Sequence, residues 1–551
     1  MVSSPTATRL SPAAAQARFD EVSAAAGQNL GRGMALAVKA RADGVDHPLV
    51  RQLVALQLKA EGRFEEAILE LQPALEAEPQ SVPLLTVMGF CLLELDRRQE
   101  AAQIFQLAIT LDPNSAEASY GYAWSAERLG ALEAAESGYR RAVALNPNHA
   151  DALAGLAGTA VRRRDWASAQ IYAEKAAAQD PLQSDAVTNL ARIEIGQGKF
   201  DAAERRLQAI IALPHLKPLA RANARLLLGD ALDGAGRYRK AYAAYAKGKA
   251  DLRERHAHVF ETPGGNSATE AAKAILEEFN QTPAEAWTPH SLLSAKRDER
   301  AHAFLTGFPR SGTTLLEQVL ATHPDIVTLE ERPLLLEAAR EFLTRYGDVT
   351  RLANVVPDLL EPYRDSYWKR VSEFGVNPAG KVFVDKNPLN TIRLPLLAKL
   401  FPGAKIIFAL RDPRDVVLSC FRRSFNMNAS MYEFNSIEGA AHYYAAVMAA
   451  GEAYRERLSL QIHFLRYEDL VTDFEGQARK LCDFLGVEWT EKLKDFAQTA
   501  RGRPIATPSS TQVGRGLYAE GAGQWRHYDF ALKPVLPILQ PWIERFGYDA
   551  D

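Results

Sequence analysis

The chain has 551 residues, of which 24% are charged, and a formal net charge of −3. This length exceeds what one compact core usually organises, so two or more domains are expected. The near-neutral charge, without a long basic stretch, gives no support for binding of nucleic acid or an anionic membrane surface. Apolar runs stay shorter than the roughly 18 residues that a membrane span needs, so no span is expected.

The three cysteines, Cys91, Cys420 and Cys482, follow no pairing pattern and no metal-ligand spacing. Such usage is typical of a reducing compartment and predicts no zinc site. Residues 1–48 are predicted to be a helical or flexible N-terminal segment, and their start lacks the apolar core of a signal peptide. We therefore expect a cytoplasmic protein.

Residues 49–257 contain an internal repeat with a period of 34 residues. Two residue types recur at this interval, namely Pro79, Pro113, Pro147 and Pro181, and Ala67, Ala101, Ala135, Ala169 and Ala203. A small residue lets two helices approach closely, and a proline ends the second helix before the next unit begins. The pattern resembles the tetratricopeptide repeat (TPR) family, which implies an N-terminal all-α helical solenoid.

A solenoid of this kind has a concave groove that is often used to hold extended peptides. We therefore expect the repeats to present a protein or peptide acceptor, since every candidate catalytic residue follows Ala301. An alternative stays open, in which the repeats only hold together a homo-oligomer.

Residues 258–300 are predicted to be a linker, and residues 301–551 an α/β domain. The linker combines the turn sequence ETPGGNS with one short helical run, Glu270–Phe279. Beyond it, short apolar strands alternate with helical segments, which is typical of a parallel sheet with flanking helices. The predicted strands are AFLTG at 303–307, KVFV at 381–384, KIIFAL at 405–410 and QIHFL at 461–465.

The loop after the first strand predicts an anion site. It reads Gly307-Phe-Pro-Arg-Ser-Gly312-Thr-Thr, so the backbone can curl and bring several N–H groups together at a helix N-terminus. The spacing matches a phosphate-binding loop, but Thr313 stands where ATPases and GTPases have lysine. This disfavours a nucleotide kinase, while Arg310 supplies a positive charge within the loop. A glycine turn that merely joins strand to helix is the structural alternative.

The succession of FPRSGTT, ATHPDI and LEERP resembles the sulfotransferases, most closely the tyrosylprotein group with its related bacterial enzymes. The resemblance covers residues 301 to about 528 and implies a P-loop-like domain that uses 3′-phosphoadenylyl sulfate (PAPS) as co-substrate. The family's 5′-phosphosulfate loop corresponds here to Arg310, Ser311, Gly312, Thr313 and Thr314.

A second family motif places an arginine after a strand and a serine eight residues later, and these two residues hold the 3′-phosphate. Here the segment IIFALRDPRDVVLS provides Arg411 and Ser419. An arginine at the C-terminal end of a parallel strand offers a bidentate fork in the crevice where such sheets bind ligands. Alone this spacing is commonplace, but together with the loop it predicts a nucleotide donor site.

The resemblance also implies the catalytic groups. In the tyrosylprotein group the general base is a glutamate of an EE pair, which corresponds to Glu331, with Glu330 as the alternative. Many sulfotransferases instead use a histidine after the second strand, but this chain reads VFVDKNP there. Lys386 of that segment corresponds to the lysine that polarises the bridging oxygen together with Arg310, so no metal is expected. The structural alternative is a surface lysine paired with Asp385.

Two segments near the C-terminus are similar to family segments around the nucleotide. Tyr467 in RYEDL corresponds to a tyrosine that borders the adenine. The stretch SSTQVGRG…GQWRHY resembles the segment that closes over the nucleotide, with Ser509, Arg515 and Arg526 as candidate contacts. This stretch departs from the tyrosylprotein pattern, because Gln524 stands where that group has a lysine, and Arg526 is a candidate to compensate.

Taken with the resemblance, these residues favour an active PAPS-dependent sulfotransferase that modifies a hydroxyl group. Tyrosine of a protein or peptide is the acceptor that the resemblance suggests, and sugars or small molecules stay open. The alternative from another class is a TPR scaffold whose α/β domain holds a nucleotide without catalysis.

Overall fold

The computed structural model describes residues 10–163, 165–181, 183–261, 267–288, 298–497 and 521–549. The chain divides into two compact units, one ending at Ile193 and the other beginning at Glu194. The predicted fold class is confirmed, because helical repeats are followed by an α/β domain with a parallel sheet. None of the described helices is both long and apolar enough to cross a membrane.

Short helices in succession build the N-terminal unit. They are α1 (Pro12–Gln28), α2 (Leu30–Ala42), α3 (Pro48–Ala60), α4 (Phe64–Ala77), α5 (Val82–Glu94), α6 (Arg98–Leu111), α7 (Ala116–Arg128), α8 (Leu132–Leu145), α9 (Ala150–Arg163), α10 (Trp166–Gln179) and α11 (Ser184–Gly196), the last of which crosses the boundary between the units. The repeated alanines are fully buried, and each repeated proline lies two residues beyond the end of a helix. At Gly121 an added Cβ would lie 2.1 Å from the ring of Phe105, so close helix packing requires glycine there.

The C-terminal unit begins with helices of the repeat region. These are α12 (Phe200–Ile211), α13 (Pro218–Gly234) and α14 (Tyr238–Phe260), followed by α15 (Ala268–Gln281) and a 3₁₀ turn at Ala284–Trp287. One apolar cluster includes Leu226 and Tyr245 of α13 and α14 together with Phe304 of the sheet. The compact unit therefore begins well before residue 257, where the predicted repeat array ends.

Helix α15, which lies within the segment predicted as a linker, also belongs to this core. Helix α15 extends the predicted helical run at both ends, and its Ala272 and Phe279 are buried in the same apolar cluster as the sheet. The ring of Phe279 lies 4.7 Å from the ring of Tyr454. The apolar residues of α15 recur at helical spacing, so they form a buried face of that helix.

Within the described residues, five parallel strands form one sheet in the order β2-β3-β1-β4-β5. The strands are β1 (Ala301–Gly307), β2 (Ile326–Glu330), β3 (Val382–Lys386), β4 (Lys405–Leu410) and β5 (Gln461–Arg466). The structure contains all four predicted strands together with β2, which was not predicted. Leu305 pairs with Lys386 on one side and with Ile407 on the other, so the carboxyl ends of neighbouring strands meet at one edge.

Helices cover the sheet and shape that edge. They are α16 (Thr313–Leu320), α17 (Leu336–Phe342), α18 (Asp348–Ala353), α19 (Glu361–Glu373), α20 (Leu394–Leu400), α21 (Pro413–Arg422), α22 (Ala429–Glu433), α23 (Ile437–Arg457), α24 (Tyr467–Thr472), α25 (Phe474–Leu485), α26 (Asp529–Leu532) and α27 (Leu536–Arg545). Short 3₁₀ turns lie at Pro357–Leu360, Pro388–Arg393, Glu491–Asp495, Gln524–Tyr528 and Lys533–Val535. The central strands are buried on both faces, as parallel strands between helices are.

Candidate active site

The loop between β1 and α16 has the backbone of a tight turn. Gly307, Arg310 and Gly312 have positive φ angles of 139°, 74° and 92°. At Gly307 an added Cβ would lie 2.5 Å from the carbonyl oxygen of Ala409, so only glycine fits. Arg310 is not glycine, and its left-handed backbone is a strained conformation of the kind that clusters at functional sites.

Helix α16 starts inside this loop with its N-terminus toward the turn. Gly312 is the N-cap residue and provides no side-chain cap. The first N–H groups of a helix have no acceptor within the helix, and the helix dipole adds positive potential there. The flanking side chains Arg310, Ser311, Thr313 and Thr314 are buried. This end of α16 is therefore suited to an anion such as a phosphate or a sulfate ester.

The two predicted phosphate motifs are joined by direct hydrogen bonds. Nε of Arg310 donates a hydrogen bond to Oγ of Ser419 at 2.9 Å, and Nη1 of Arg411 donates to the carbonyl oxygen of Arg310 at 3.0 Å. Nε of Arg411 is buried and has no hydrogen-bond partner in the part of the chain that the structure describes. An unpaired buried guanidinium N–H costs stability, so an anionic acceptor is favoured at this position.

One pocket collects most of the predicted donor contacts. The predicted residues that line it are Arg310, Gly312, Thr313, Thr314, Arg411, Ser419 and Tyr467. The guanidinium of Arg411 lies 5.0 Å from the centre of the Tyr467 ring, and an added Cβ on Gly312 would lie 2.9 Å from Cδ2 of that tyrosine. Tyr467 therefore forms a wall of the pocket that contacts both the loop and Arg411.

Sequence reasoning missed several residues of this pocket, namely Leu315, Asp415, Leu418, Arg422, Arg423 and Gly521, and noted Gln524 only as a departure. The signal for the two arginines was the pair in FRRSF, directly after the predicted serine motif. The carboxylate of Asp415 accepts the backbone N–H groups of Gly523 at 2.7 Å and Trp525 at 2.9 Å. This aspartate therefore anchors the C-terminal segment, and the pocket keeps an excess of arginine charge.

Glu330, Glu331 and Lys386 meet at the ends of β2 and β3. Nζ of Lys386 donates to Oε1 of Glu331 at 2.7 Å and to Oε1 of Glu330 at 2.9 Å. The Lys386 side chain is 0% exposed, whereas Glu330 is 15% and Glu331 is 43% exposed. Burial alone would lower the pKa of Lys386, but the charges of Glu331 and Glu330 outweigh it and raise the pKa above its ordinary value. Lys386 is therefore a buried cation with two carboxylate partners.

Asp385 is not the partner of Lys386. Its Oδ2 accepts a hydrogen bond from the hydroxyl of Tyr367 at 3.1 Å, and that hydroxyl lies 3.0 Å from Nε2 of His302. Burial raises the pKa of Asp385 to about 7. The structural alternative of a surface lysine paired with Asp385 is therefore excluded.

Glu331 differs from Glu330 in its backbone. In the described ranges, the non-glycine residues with positive φ are Asp96, Arg310 and Glu331, and φ of Glu331 is 46°. The N–H of Glu331 donates to the carbonyl oxygen of Lys386 at 2.8 Å. The two residues predicted as base and as loop cation thus both have strained backbones, and the more exposed glutamate is the one predicted as the base.

Of the three candidate contacts in the segment predicted to close over the nucleotide, the structure describes one, Arg526. Arg526 is exposed and lies outside the pocket, with its guanidinium 4.8 Å from the centre of the Trp525 ring. Ser509 and Arg515 lie outside the described residues. Gln524 lines the pocket and accepts a hydrogen bond from Nη1 of Arg422 at 3.1 Å. Within the pocket, Arg422 is thus an arginine that contacts Gln524, the residue that stands where the tyrosylprotein group has a lysine.

Across the described ranges, no group of three or more His, Cys, Asp or Glu side chains is placed to hold a metal ion. Cys91, Cys420 and Cys482 are buried and form no disulfide.

Comparison with known proteins agrees with both halves of the chain. Residues 303–491 match the family described as "Sulfotransferase family", and residues 58–124 match a tetratricopeptide repeat. The predicted resemblance to these two families is confirmed. The chain thus combines a sulfotransferase-like domain with helical repeats.

The similarity to individual proteins is distant. An uncharacterized protein of Aquifex aeolicus (strain VF5) is 26% identical over 295 residues, which are 50% of this chain and 38% of that protein. Protein-tyrosine sulfotransferase A of Caenorhabditis elegans is 25% identical over 296 residues, 50% of this chain and 76% of that protein. The sulfotransferase domain of the Synechococcus PCC 7002 olefin synthase is 21% identical, with a TM-score of 0.34, over 48% of this chain and 100% of that domain. The match thus spans well under half of the Aquifex protein.

Proposed function

We propose that this chain is a PAPS-dependent sulfotransferase that transfers a sulfuryl group to a hydroxyl acceptor, with tyrosine of a protein or peptide as that acceptor. The observation that carries the proposal is the pocket in which Arg310 of the loop meets Arg411 and Ser419 of the second motif. A nucleotide with anionic groups on both its 5′ and 3′ sides suits two adjoining anion sites. ATP has phosphates on its 5′ side alone.

The donor would be held by two sets of groups. The N-terminus of α16 and Arg310 suit the 5′-phosphosulfate, because backbone N–H groups and a guanidinium both neutralise anionic oxygens. Arg411, whose buried Nε has no partner within the described residues, and Ser419 suit the 3′-phosphate. The adenine would lie near Tyr467, whose ring forms a wall of the pocket.

Sulfuryl transfer forms a bond between the acceptor oxygen and sulfur while the bond from sulfur to the bridging oxygen of the donor breaks. Glu331 takes the proton of the acceptor hydroxyl, since it is the more exposed of the two glutamates beside Lys386. Lys386 and Arg310 stabilise the charge that develops on the leaving 3′-phosphoadenosine 5′-phosphate. These cationic side chains supply the charge neutralisation that Mg²⁺ supplies in kinases.

The location of the enzyme and the role of the repeats are part of the same proposal. The helical repeats of the N-terminal unit would bind the protein or peptide acceptor, since stacked repeats offer a long concave surface. Buried cysteines without disulfides fit a cytoplasmic, reducing environment.

The test is transfer of radiolabelled sulfate from PAPS by the purified full chain to tyrosine peptides with acidic flanks, glycans and small phenols. Label on the tyrosine peptides, lost in Glu331→Gln, is the expected result. Label confined to glycans or phenols would overturn the tyrosine acceptor and keep the sulfotransferase. No transfer by a chain that binds 3′-phosphoadenosine 5′-phosphate would favour the non-catalytic scaffold.

A further inference from the structure

The end of α21 brings two arginines into the pocket, Arg422 as the last residue of the helix and Arg423 directly after it. Arg422 follows Ser419 by three residues, so the two side chains lie on the same face of the helix. Arg422 is 8% exposed and Arg423 is 28% exposed. A long, flexible side chain binds a phosphate more tightly when its direction is fixed beforehand, because less conformational entropy is lost on binding.

The groups that fix these arginines come from α13 and α14, two helices of the repeat region joined by a turn at 235–237, which we term the α13–α14 hairpin. Oδ2 of Asp233 accepts a hydrogen bond from Nη2 of Arg422 at 2.6 Å. Oδ2 of Asp230 accepts one from Nη1 of Arg423 at 3.3 Å. Both aspartates lie on α13, within one turn of each other.

Each aspartate is itself held by a tyrosine. The hydroxyl of Tyr528 donates to Oδ1 of Asp233 at 2.5 Å, and the hydroxyl of Tyr245 donates to Oδ1 of Asp230 at 2.8 Å. Tyr245 lies on α14 and is fully buried, and Tyr528 is 1% exposed. Because the second carboxylate oxygen is occupied in both cases, each aspartate presents its remaining oxygen in a fixed direction.

A buried lysine attaches the same hairpin to the backbone at the end of α21. Nζ of Lys249, on α14, donates to the carbonyl oxygen of Arg423 at 2.7 Å, and the Lys249 side chain is almost fully buried. The last carbonyl groups of a helix have no N–H donor within the helix, so the hydrogen bond from Nζ of Lys249 satisfies one of the carbonyl groups at the end of α21. The α13–α14 hairpin thus contacts both the side chains and the backbone of this turn.

We propose that Asp230 and Asp233 are positioning residues of the donor site, which hold Arg422 and Arg423 ready for the nucleotide phosphates. The inference rests on the proposed function, because it assigns these arginines to the PAPS donor. It makes the last repeat hairpin a part of the donor site as well as a part of the repeat region. The negative charges of the aspartates also reduce the repulsion among the arginines of the pocket before the donor binds.

The test compares isosteric variants of the full chain by calorimetric titration with 3′-phosphoadenosine 5′-phosphate. Asp233→Asn is expected to weaken binding roughly tenfold, as loss of a charge-assisted hydrogen bond does. The KM for PAPS should rise while the KM for the acceptor stays unchanged, a split that general destabilisation would not produce. Asp233→Glu, which keeps the charge, should restore most of the affinity. If Asp233→Asn does not fold, Asp230→Asn is the variant that decides.

The matched control is Asp251→Asn on the same hairpin. Asp251 accepts hydrogen bonds from Nη1 of Arg225 at 2.6 and 2.5 Å, and it is 25% exposed, as Asp230 is. Its pair lies between α13 and α14 and does not involve α21. Suppose that the wild type binds the nucleotide and that Asp233→Asn, Asp230→Asn and Asp251→Asn all bind it with the same affinity as the wild type. That result would overturn the positioning role. A wild type that does not bind the nucleotide would overturn the proposed function as well.

Discussion

Nζ of Lys386 donates to Oε1 of Glu331 at 2.7 Å, and the backbone N–H of Glu331 donates to the carbonyl oxygen of Lys386 at 2.8 Å. The two residues stand at the ends of neighbouring strands, β2 and β3, so the sheet fixes their separation. In the proposed reaction one receives a proton from the acceptor and the other stabilises the leaving group. Their direct contact places the two tasks side by side at the same edge of the sheet.

Glu331→Gln should reduce sulfuryl transfer roughly a hundredfold or more, because the amide cannot take the proton of the acceptor. Binding of 3′-phosphoadenosine 5′-phosphate should stay unchanged, since Glu331 does not line the donor pocket. Single-turnover transfer assays and nucleotide titration check both outcomes. Glu330→Gln is the matched control and should retain most activity. A dead Glu330→Gln beside an active Glu331→Gln would move the base by one residue.

Lys386→Met should reduce transfer by a factor of roughly 100 to 1000, the usual cost of losing one group that stabilises transition-state charge. It should also lower the melting temperature, because Glu330 and Glu331 lose the cation between them. Lys386→Arg separates the two effects, since it keeps the charge and changes the geometry. Near-normal transfer by a folded Lys386→Met variant would remove this lysine from the mechanism.

The raised pKa of Asp385 predicts that the free energy of unfolding depends on pH. Burial raises its pKa to about 7 in the folded protein, so the native state retains a proton that the unfolded chain releases at lower pH. The stabilisation from this group is therefore present at low pH and is lost as the pH rises through about 7. Asparagine mimics the protonated acid. Relative to the wild type, Asp385→Asn should gain roughly 2–3 kcal/mol in free energy of unfolding between about pH 5 and pH 8.

Urea unfolding of both proteins at the two pH values measures this difference. The comparison cancels groups common to both, including His302, for which burial lowers the pKa to about 3. A difference that does not change with pH would show that Asp385 is ionised in the folded protein throughout this range.

Two truncations test where the C-terminal unit begins. Removal of residues 1–257 would take Leu226, Tyr245 and Leu252 out of the core that contains Phe304, so this variant should fail to fold. Removal of residues 1–198 keeps α12, α13 and α14 and should leave a folded protein with unchanged donor affinity. Circular dichroism melting and nucleotide titration distinguish the two. A stable, donor-binding product of the longer truncation would contradict the structural role of the hairpin.

The shorter truncation also tests the proposed role of the N-terminal unit. Its KM for a peptide acceptor should rise with little change in kcat, the sign of lost uniform binding, and small phenols should be modified as before. An unchanged KM for the peptide would leave the repeats with an oligomeric or structural role.

Much of the fold was accessible from sequence because its signals are local and repeated. The 34-residue spacing of alanines and prolines predicted the repeats, and short apolar segments, each followed by a helical pattern, predicted β1, β3, β4 and β5. Strand β2 was missed, because its sequence IVTLE is short and follows closely on Pro324. Its β-branched start was the available signal.

The pocket shows what local sequence could not predict. Arg310, Arg411 and Ser419 were identified from motifs, but the contacts of Arg422 and Arg423 with Asp233 and Asp230 join residues more than 180 positions apart in the chain. No short motif encodes such a pairing. The boundary at Glu194 was inaccessible for the same reason, since the repeat pattern continues through helices that are buried against the sulfotransferase-like domain.

The central claim, a donor site for PAPS, is tested most directly by calorimetric titration of the full chain with 3′-phosphoadenosine 5′-phosphate and with ATP. We predict that the bisphosphate binds at least roughly a hundredfold more tightly, because in the proposed site Arg411 and Ser419 hold a 3′-phosphate that ATP lacks. In Arg411→Gln most of this preference should disappear. Equal affinity of the wild type for the two nucleotides would contradict the assignment of the pocket.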